Sequence, residues 1–382
     1  MIEMWTNDHD IDPITVADFM SKSGNPVSFA ELIDMTHKTF SFNFEADLEI
    51  LKQRFHRRRI AHTITKLAVS IKDDSVDPDI LASEAIMELS KVIEPEHKTV
   101  ARFDEVANLL IATIKAGHVP ESIPTGFSNL DFALAGGFRR GNLIVIGARP
   151  SMGKTSLVCQ MAVNIASRGK KVLMFPMEMN SNAIATRIIA SESDIEPAVL
   201  RNLNYQTDWE AIKGRISKLQ GKDLWIDDEH ALTSQKAIAA AKNLAARLGS
   251  LDCVIIDYLQ RFADIPNDNR NAYLGKVTKT FASLARQLDC PVILVSQLSR
   301  KVEDRSEKIP TMADLRDSGE IEADADVIML LYRKHQYDKE ADPNEAQVII
   351  AKQRDGPTDI VPLHWDSTRL RFSCYDTRYW ED

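Results

Sequence analysis

Apolar residues recur along this chain with two different periods, and the change between them divides it. Over residues 1–93 the spacing is helical. Residues Ile14 to Met20, Phe29 to Met35 and Asp47 to Ala68 each carry an apolar stripe, with Ser28 placed to cap the second and Asp47 opening the third. A small all-α domain is expected there. Residues 94–124 read as a linker punctuated by Pro95, Pro120 and Pro124. Its single helix, at 103–117, draws Phe103, Val106, Ala107, Leu110, Ile111 and Ile114 into one stripe. Such a helix has little of its own to pack on. It either folds back on its own domain or docks on a neighbouring subunit.

From residue 125 onward short apolar runs alternate with helical patterns. Strands are expected at 143–147, 171–176, 223–227, 252–257, 290–296, 326–332, 346–353, 359–365 and 369–375, and helices at 156–168, 181–193, 207–220, 233–249 and 271–289. Alternation of this kind predicts a mostly parallel α/β sheet covered on both faces. The last three strands have no long helix between them and predict an antiparallel extension.

The first of these strands runs into Ala148-Arg149-Pro150-Ser151-Met152-Gly153-Lys154-Thr155 and then a helix. This is a phosphate-binding loop of the G-x-x-x-x-G-K-[ST] type, with Ala148 where the first glycine is usual. Backbone N–H groups and the positive end of the helix cradle a polyphosphate, Gly153 allows close approach, Lys154 reaches the outer phosphates and Thr155 holds Mg²⁺. ATP and Mg²⁺ are therefore the expected cofactors.

Other strand ends supply further groups. Cys253-Val-Ile-Ile-Asp257 offers a carboxylate for the Mg²⁺ side; Asp227 and Asp228, after Leu224-Trp-Ile, are its rivals, but the strand ending at Asp257 is more apolar and so more central. Tyr258 stands where many such ATPases carry a glutamate, so the water-polarising base must come from elsewhere, and Glu178 ends the strand after the phosphate loop. Gln297 ends the strand at 290–296 and can donate and accept at once, which suits a reporter of the γ-phosphate. Lys352 and Arg354 lie two apart on a strand, which calls for an anion across from them: a neighbouring subunit's phosphate, or simply solvent at a sheet edge. The long polar stretch from Arg300 to Gly319, with Arg316 beside Ser318 and Gly319, suits a single-strand phosphate contact or a disordered loop.

Composition narrows this little further. With 44% hydrophobic and 27% charged residues the chain of 382 residues builds a core. A net charge of −9 excludes a polycation that coats nucleic acid, so any such site is a local patch. The run Arg54 to Arg59 is either that patch or the solvated face of a helix. Four cysteines without CxxC spacing and nine scattered histidines point to reduced thiols and no zinc site. No run has membrane-spanning length and the N-terminus, MIEMWTNDHD, lacks a signal-peptide core, so a cytoplasmic protein is expected.

The segments GARPSMGKTS (147–156), PMEMN (176–180), CVIIDYLQ (253–260), VSQLSR (295–300), DLRDSGEIEADAD (314–326) and AKQRDGPT (351–358) resemble, in order, the motifs of the DnaB-type replicative DNA helicases. The resemblance runs from about Ile123 to the end. It implies a RecA-like P-loop core in a six-subunit ring around single-stranded DNA, moving 5′ to 3′ on ATP bound between subunits. By motif, Ser151, Gly153, Lys154, Thr155 and Ser156 bind nucleotide with help from Arg187. Glu178 is the catalytic base, Asp257 the Mg²⁺-side acid and Gln297 the γ-phosphate sensor. Lys352, Gln353 and Arg354 act on the neighbour's nucleotide. Arg316, Asp317 and Gly319 face DNA, with Asp317 where the family usually has glutamate. The linker helix would dock on the adjacent subunit. Residues 1–93 resemble only part of the family's helical N-terminal domain, its opening helices absent, as in a shortened version; primase and a helicase loader are the implied partners.

Two alternatives remain on sequence alone: a RecA-like DNA-dependent ATPase that does not unwind, and an ATP-switched oligomeric scaffold.

Overall fold

The computed structural model describes residues 54, 57–58, 60–66, 68, 102–115, 121–193, 195–201, 209–262, 264, 270–315 and 318–375. By its contacts the chain divides into two units, 1–99 and 100–382. In the first, the described residues between 54 and 68 are helical, with Arg54, Arg57 and Arg58 exposed; the other elements expected before residue 94 lie outside the described residues.

The second unit opens with helix α1 (Phe103–Lys115) and a two-stranded antiparallel pair, β1 (Ser122–Ile123) with β2 (Phe138–Arg139), flanking α2 (Ser128–Ala133). Nothing in the apolar pattern announces that pair; it is too short to show a period. Then follow β3 (Leu143–Ala148), α3 (Lys154–Ala166), β4 (Val172–Pro176), α4 (Ser181–Ser193), α5 (Pro197–Arg201), α6 (Trp209–Ile216), β5 (Leu224–Ile226) and α7 (Ser234–Leu248). The chain continues through β6 (Cys253–Asp257), α8 (Arg270–Leu288), β7 (Val292–Gln297), α9 (Ser318–Asp324), β8 (Val327–Tyr332), β9 (Glu345–Gln353), β10 (Asp359–Asp366) and β11 (Arg371–Cys374).

The large sheet has the order β11-β10-β9-β8-β3-β7-β6-β4-β5. Pairs from β8 through β3, β7, β6 and β4 to β5 are parallel, and β8/β9, β9/β10 and β10/β11 are antiparallel. All nine strands coincide with the expected runs to within two residues at either end. Central strands are buried on both faces, and successive residues feed opposite cores. Ile144 and Ile146 join the cluster under α3, whereas Leu143 and Val145 join the one under α7 and α8.

The antiparallel strands do more than extend the sheet. A Cβ on Gly153, whose φ is +98°, would lie 2.9 Å from Phe372 Cζ and 3.3 Å from Trp365 Cζ3, so the aromatic pair of β10 and β11 packs directly against the phosphate loop. Gln160 on α3 locks this arrangement by donating to Phe372 O at 2.8 Å and accepting from Phe372 N at 2.9 Å.

The stretch from Arg300 to Gly319 is not a disordered loop over its described part. Two short 3₁₀ turns, Arg300–Asp304 and Met312–Asp314, and a Leu298–Leu315 bridge give it a frame. Asp314 holds Thr311 N at 2.8 Å and pairs with Arg305.

Candidate active site

Four strands deliver polar groups to one edge of the sheet. β3 ends at the phosphate loop, β6 at Asp257, β7 at Gln297, and β4 stops two residues before Glu178. Adjacent strands β4 and β6 are in register at Pro176–Asp257, and β3 and β7 at Ala148–Gln297, so these ends are level. This is the edge at which ligands sit in doubly wound sheets.

Lys154 is the first residue of α3 and is buried. Burial lowers its pKa, and the nearby charges of Asp257 and Glu178 oppose that shift. Its Nζ lies 4.4 Å from the centre of the Tyr258 ring. Asp257 is only 3% exposed; burial raises its pKa, against the Thr155 hydroxyl and Lys154. Its Oδ1 is buried without a hydrogen-bond partner. A buried orphan oxygen beside a threonine hydroxyl is the donor set a hard cation takes, so Thr155 and Asp257 fit Mg²⁺. Glu178 is exposed and near enough for its charge to bear on Lys154 and Asp257. Arg187, on α4, likewise acts electrostatically on Asp257. Ser151 is exposed at φ +65°, and Ser156 is buried on α3.

The rivals to Asp257 are occupied. Asp228 accepts from Ser181 N at 2.6 Å and so caps α4, while Asp227 accepts from Glu229 N, and both follow the outermost strand, β5.

Lys352 and Arg354 are at the opposite edge. Lys352 pairs in register with Ile328 near the start of β8, and the register shifts between Ile328 and Met329. Lys352 Nζ donates to Glu322 O and, at 2.7 Å, to Ala325 O; Arg354 pairs with Asp326 at 2.9 Å and donates to Ala323 O. The anion that two adjacent cations require is thus present within the chain, as Asp326 and the C-terminal carbonyls of α9. Gln353 lies between them with a buried, unpartnered Oε1. Asp326 N is bonded to Leu143 O, at the far end of β3 from the phosphate loop. Five residues of strand separate the two, about 17 Å. Arg354 is therefore beyond reach of its own chain's phosphate loop.

Gly319 lies in the first turn of α9, exposed, with open space where a Cβ would be. Arg316 and Asp317 lie outside the described residues.

Two neighbours of the site were given no role from the sequence, although Gln260 closes the CVIIDYLQ segment. Gln260 donates to Ser296 Oγ at 2.8 Å and accepts from Gln297 N at 3.2 Å, fixing the end of β7 that presents Gln297. Arg333 donates to the carbonyl of Ser151 at 3.4 Å and stacks on Trp365. Only its place just after an apolar strand could have drawn attention to Arg333.

Comparison with known proteins agrees with this architecture. The model of the DnaB-like helicase C terminal domain matches residues 122–374. The chain is 33% identical over 354 residues to the replicative DNA helicase DnaC of Bacillus subtilis (strain 168), covering 88% of this chain and 76% of that one. Among solved structures, an isolated ATPase domain superposes with a TM-score of 0.68 at 31% identity, over 72% of this chain and all of that one. A DnaB-like replicative helicase, solved in a study of its interactions with primase, superposes at 0.69 with 27% identity, over 98% of this chain and 90% of that one.

Proposed function

Since the chain belongs to the family of DnaB-like replicative DNA helicases, which are ATP-hydrolysing enzymes, we propose that it works as a homo-hexameric ring translocating 5′ to 3′ on single-stranded DNA. Each active site is shared between two protomers. One grips Mg²⁺·ATP with Ser151, Gly153, Lys154, Thr155, Ser156 and Arg187; its Asp257 stands on the metal side, Glu178 polarises the attacking water and Gln297 reports the γ-phosphate. The other contributes Lys352, Gln353 and Arg354.

The observation that carries this reading is the separation of Arg354 from Lys154 across the length of β3. If Arg354 serves a nucleotide, that nucleotide is held by another copy. The exposed Phe103 (85%) and Ile111 (48%) of α1 supply an apolar face for the adjacent copy to cover. Residues 1–93 are taken as a helical N-terminal domain, 94–124 as the linker and 125–382 as the ATPase domain. Arg316, Asp317 and Gly319 contact DNA, and primase and a loader are the partners. No helix among the described residues is long and apolar enough to cross a membrane; the cytoplasm is the proposed compartment.

The test is strand separation. The purified protein, alone or with a loader, should unwind a forked duplex with a 5′ tail, and single-stranded DNA should stimulate its ATP turnover. DNA-stimulated hydrolysis without unwinding would replace the helicase with a non-unwinding DNA-dependent ATPase. Turnover indifferent to DNA would leave a scaffold.

A further inference from the structure

Arg149 belongs to the phosphate loop by sequence, and its side chain is held by the segment that follows β7. Its Nη1 donates to Leu298 O at 2.9 Å, and its Nε and Nη2 both reach Glu303 Oε1, at 2.7 and 2.6 Å. The residue is 7% exposed, and Tyr337 is a further hydrogen-bond neighbour of its side chain. A planar fork buried in this way fixes the mutual orientation of the segments it joins.

Both partners lie on the frame that follows the Gln297 strand. Leu298 bridges Leu315, Ser299 N donates to Asp314 O at 2.7 Å, and Asp314 holds Thr311 and Arg305. These contacts tie the two ends of residues 298–315 together, with Arg149 at one corner, and the segment leads into the stretch to which DNA contact is ascribed above. At the other end of the joint, Arg149 O accepts from Met152 N within the loop itself. Glu303 is 43% exposed, so this contact can open where a fully buried pair could not.

We propose that the Arg149–Glu303 pair is the joint through which a nucleotide in the phosphate loop sets the position of residues 298–315, and through them the affinity for single-stranded DNA. Arg149 is thus a positioning residue. The proposal rests on the helicase reading, because it presumes that both ligands bind. Energetic coupling requires one element that both sites bias, and it is reciprocal: the factor by which nucleotide changes DNA affinity equals the factor by which DNA changes nucleotide affinity.

The experiment measures both factors on the full chain, using a non-hydrolysable ATP analogue and a single-stranded oligonucleotide. In the wild type the two factors should agree and exceed about five. In Glu303→Ala both should fall towards one, while analogue affinity without DNA and basal turnover stay within about two-fold of wild type. Glu303→Asp, which keeps the charge, should recover part of the coupling. A Glu303→Ala protein that couples as the wild type does overturns the joint and leaves the helicase reading standing. A wild type whose two ligands ignore each other overturns both.

Discussion

The two edges of the parallel sheet are built from the same strands and are opposite in character. Where the strands begin, two buried carboxylates are answered. Asp252, just before β6, pairs with Arg140 at 2.6 Å and accepts from Lys171 N at 2.9 Å. Asp326, just before β8, accepts from Leu143 N at 2.8 Å and pairs with Arg354. Where β6 ends, Asp257 is more deeply buried than either and keeps an oxygen with no partner. At one edge the chain pairs its own carboxylates; at the other it leaves a buried carboxylate oxygen open. Incomplete pairing is tolerated at a functional site because the rest of the fold over-determines it.

The sharpest way to break this contrast is through Arg354, one of three residues at the paired edge proposed to work on a neighbour's open one. Arg354→Ala should lower ATP turnover by about 10³-fold or more while leaving nucleotide affinity within a few fold. Its pairing is half exposed, so stability should change by no more than about 1 kcal/mol. Lys154→Ala should be equally inactive for a different reason. Mixing the two inactive proteins should then restore turnover, because some sites in mixed rings join an intact Lys154 to an intact Arg354. If mixing restores nothing, or Arg354→Ala alone stays active, the arginine belongs to its own edge and only ties β9 to Asp326.

The next largest effect is expected at Glu178. Glu178→Gln should cost about 10²–10⁴-fold in turnover, as loss of a positioned base does, with nucleotide binding retained. The residue is exposed and has no packing role to lose, so melting temperature should hold. Turnover within ten-fold of wild type, by about the same standard, would move the base elsewhere on that edge.

These predictions divide along the line between what the sequence reveals and what it hides. The open edge was legible because each of its groups terminates an apolar run: Asp257 after Cys253 to Ile256, Gln297 after Val292 to Ser296, Lys154 after the loop of β3. Strand ends are visible in a linear pattern. Strand apolarity favours Asp257 over Asp227 and Asp228, and the structure adds that Asp228 is occupied in capping α4. The paired edge was less legible, since its meaning lies in pairings between residues such as Arg140 and Asp252, more than a hundred positions apart. The bulge beside Ile328 and Met329 was hidden for the same reason. Period two placed Lys352 and Arg354 on one face without showing that Asp326 and the end of α9 lie across from them. Packing of Trp365 and Phe372 onto Gly153 had no signal at all, because an aromatic on a distant strand does not declare which turn it will meet.

The smallest expected effect lies wholly on the paired edge and tests whether it is purely structural. Burial pushes the Asp252 carboxyl up, but the Lys171 N–H and the Arg140 guanidinium outweigh it and hold the group below its ordinary value. A carboxylate whose folded pKa is depressed contributes stability above its unfolded pKa, about 3.9, and loses it as pH falls through the folded value. Asp252→Asn should therefore destabilise the protein by about 2 kcal/mol at pH 7, read from denaturant midpoints. The gap between variant and wild type should hold down to about pH 5 and shrink below about pH 4 as the wild-type carboxylate protonates. Turnover per folded molecule should stay within about two-fold, since Asp252 lies a strand's length from the phosphate loop. A gap that persists in acid would mean that packing, not charge, is what Asp252 supplies. A variant that keeps its stability and loses turnover would erase the division between the two edges, for it would show the paired end of the sheet taking part in the chemistry.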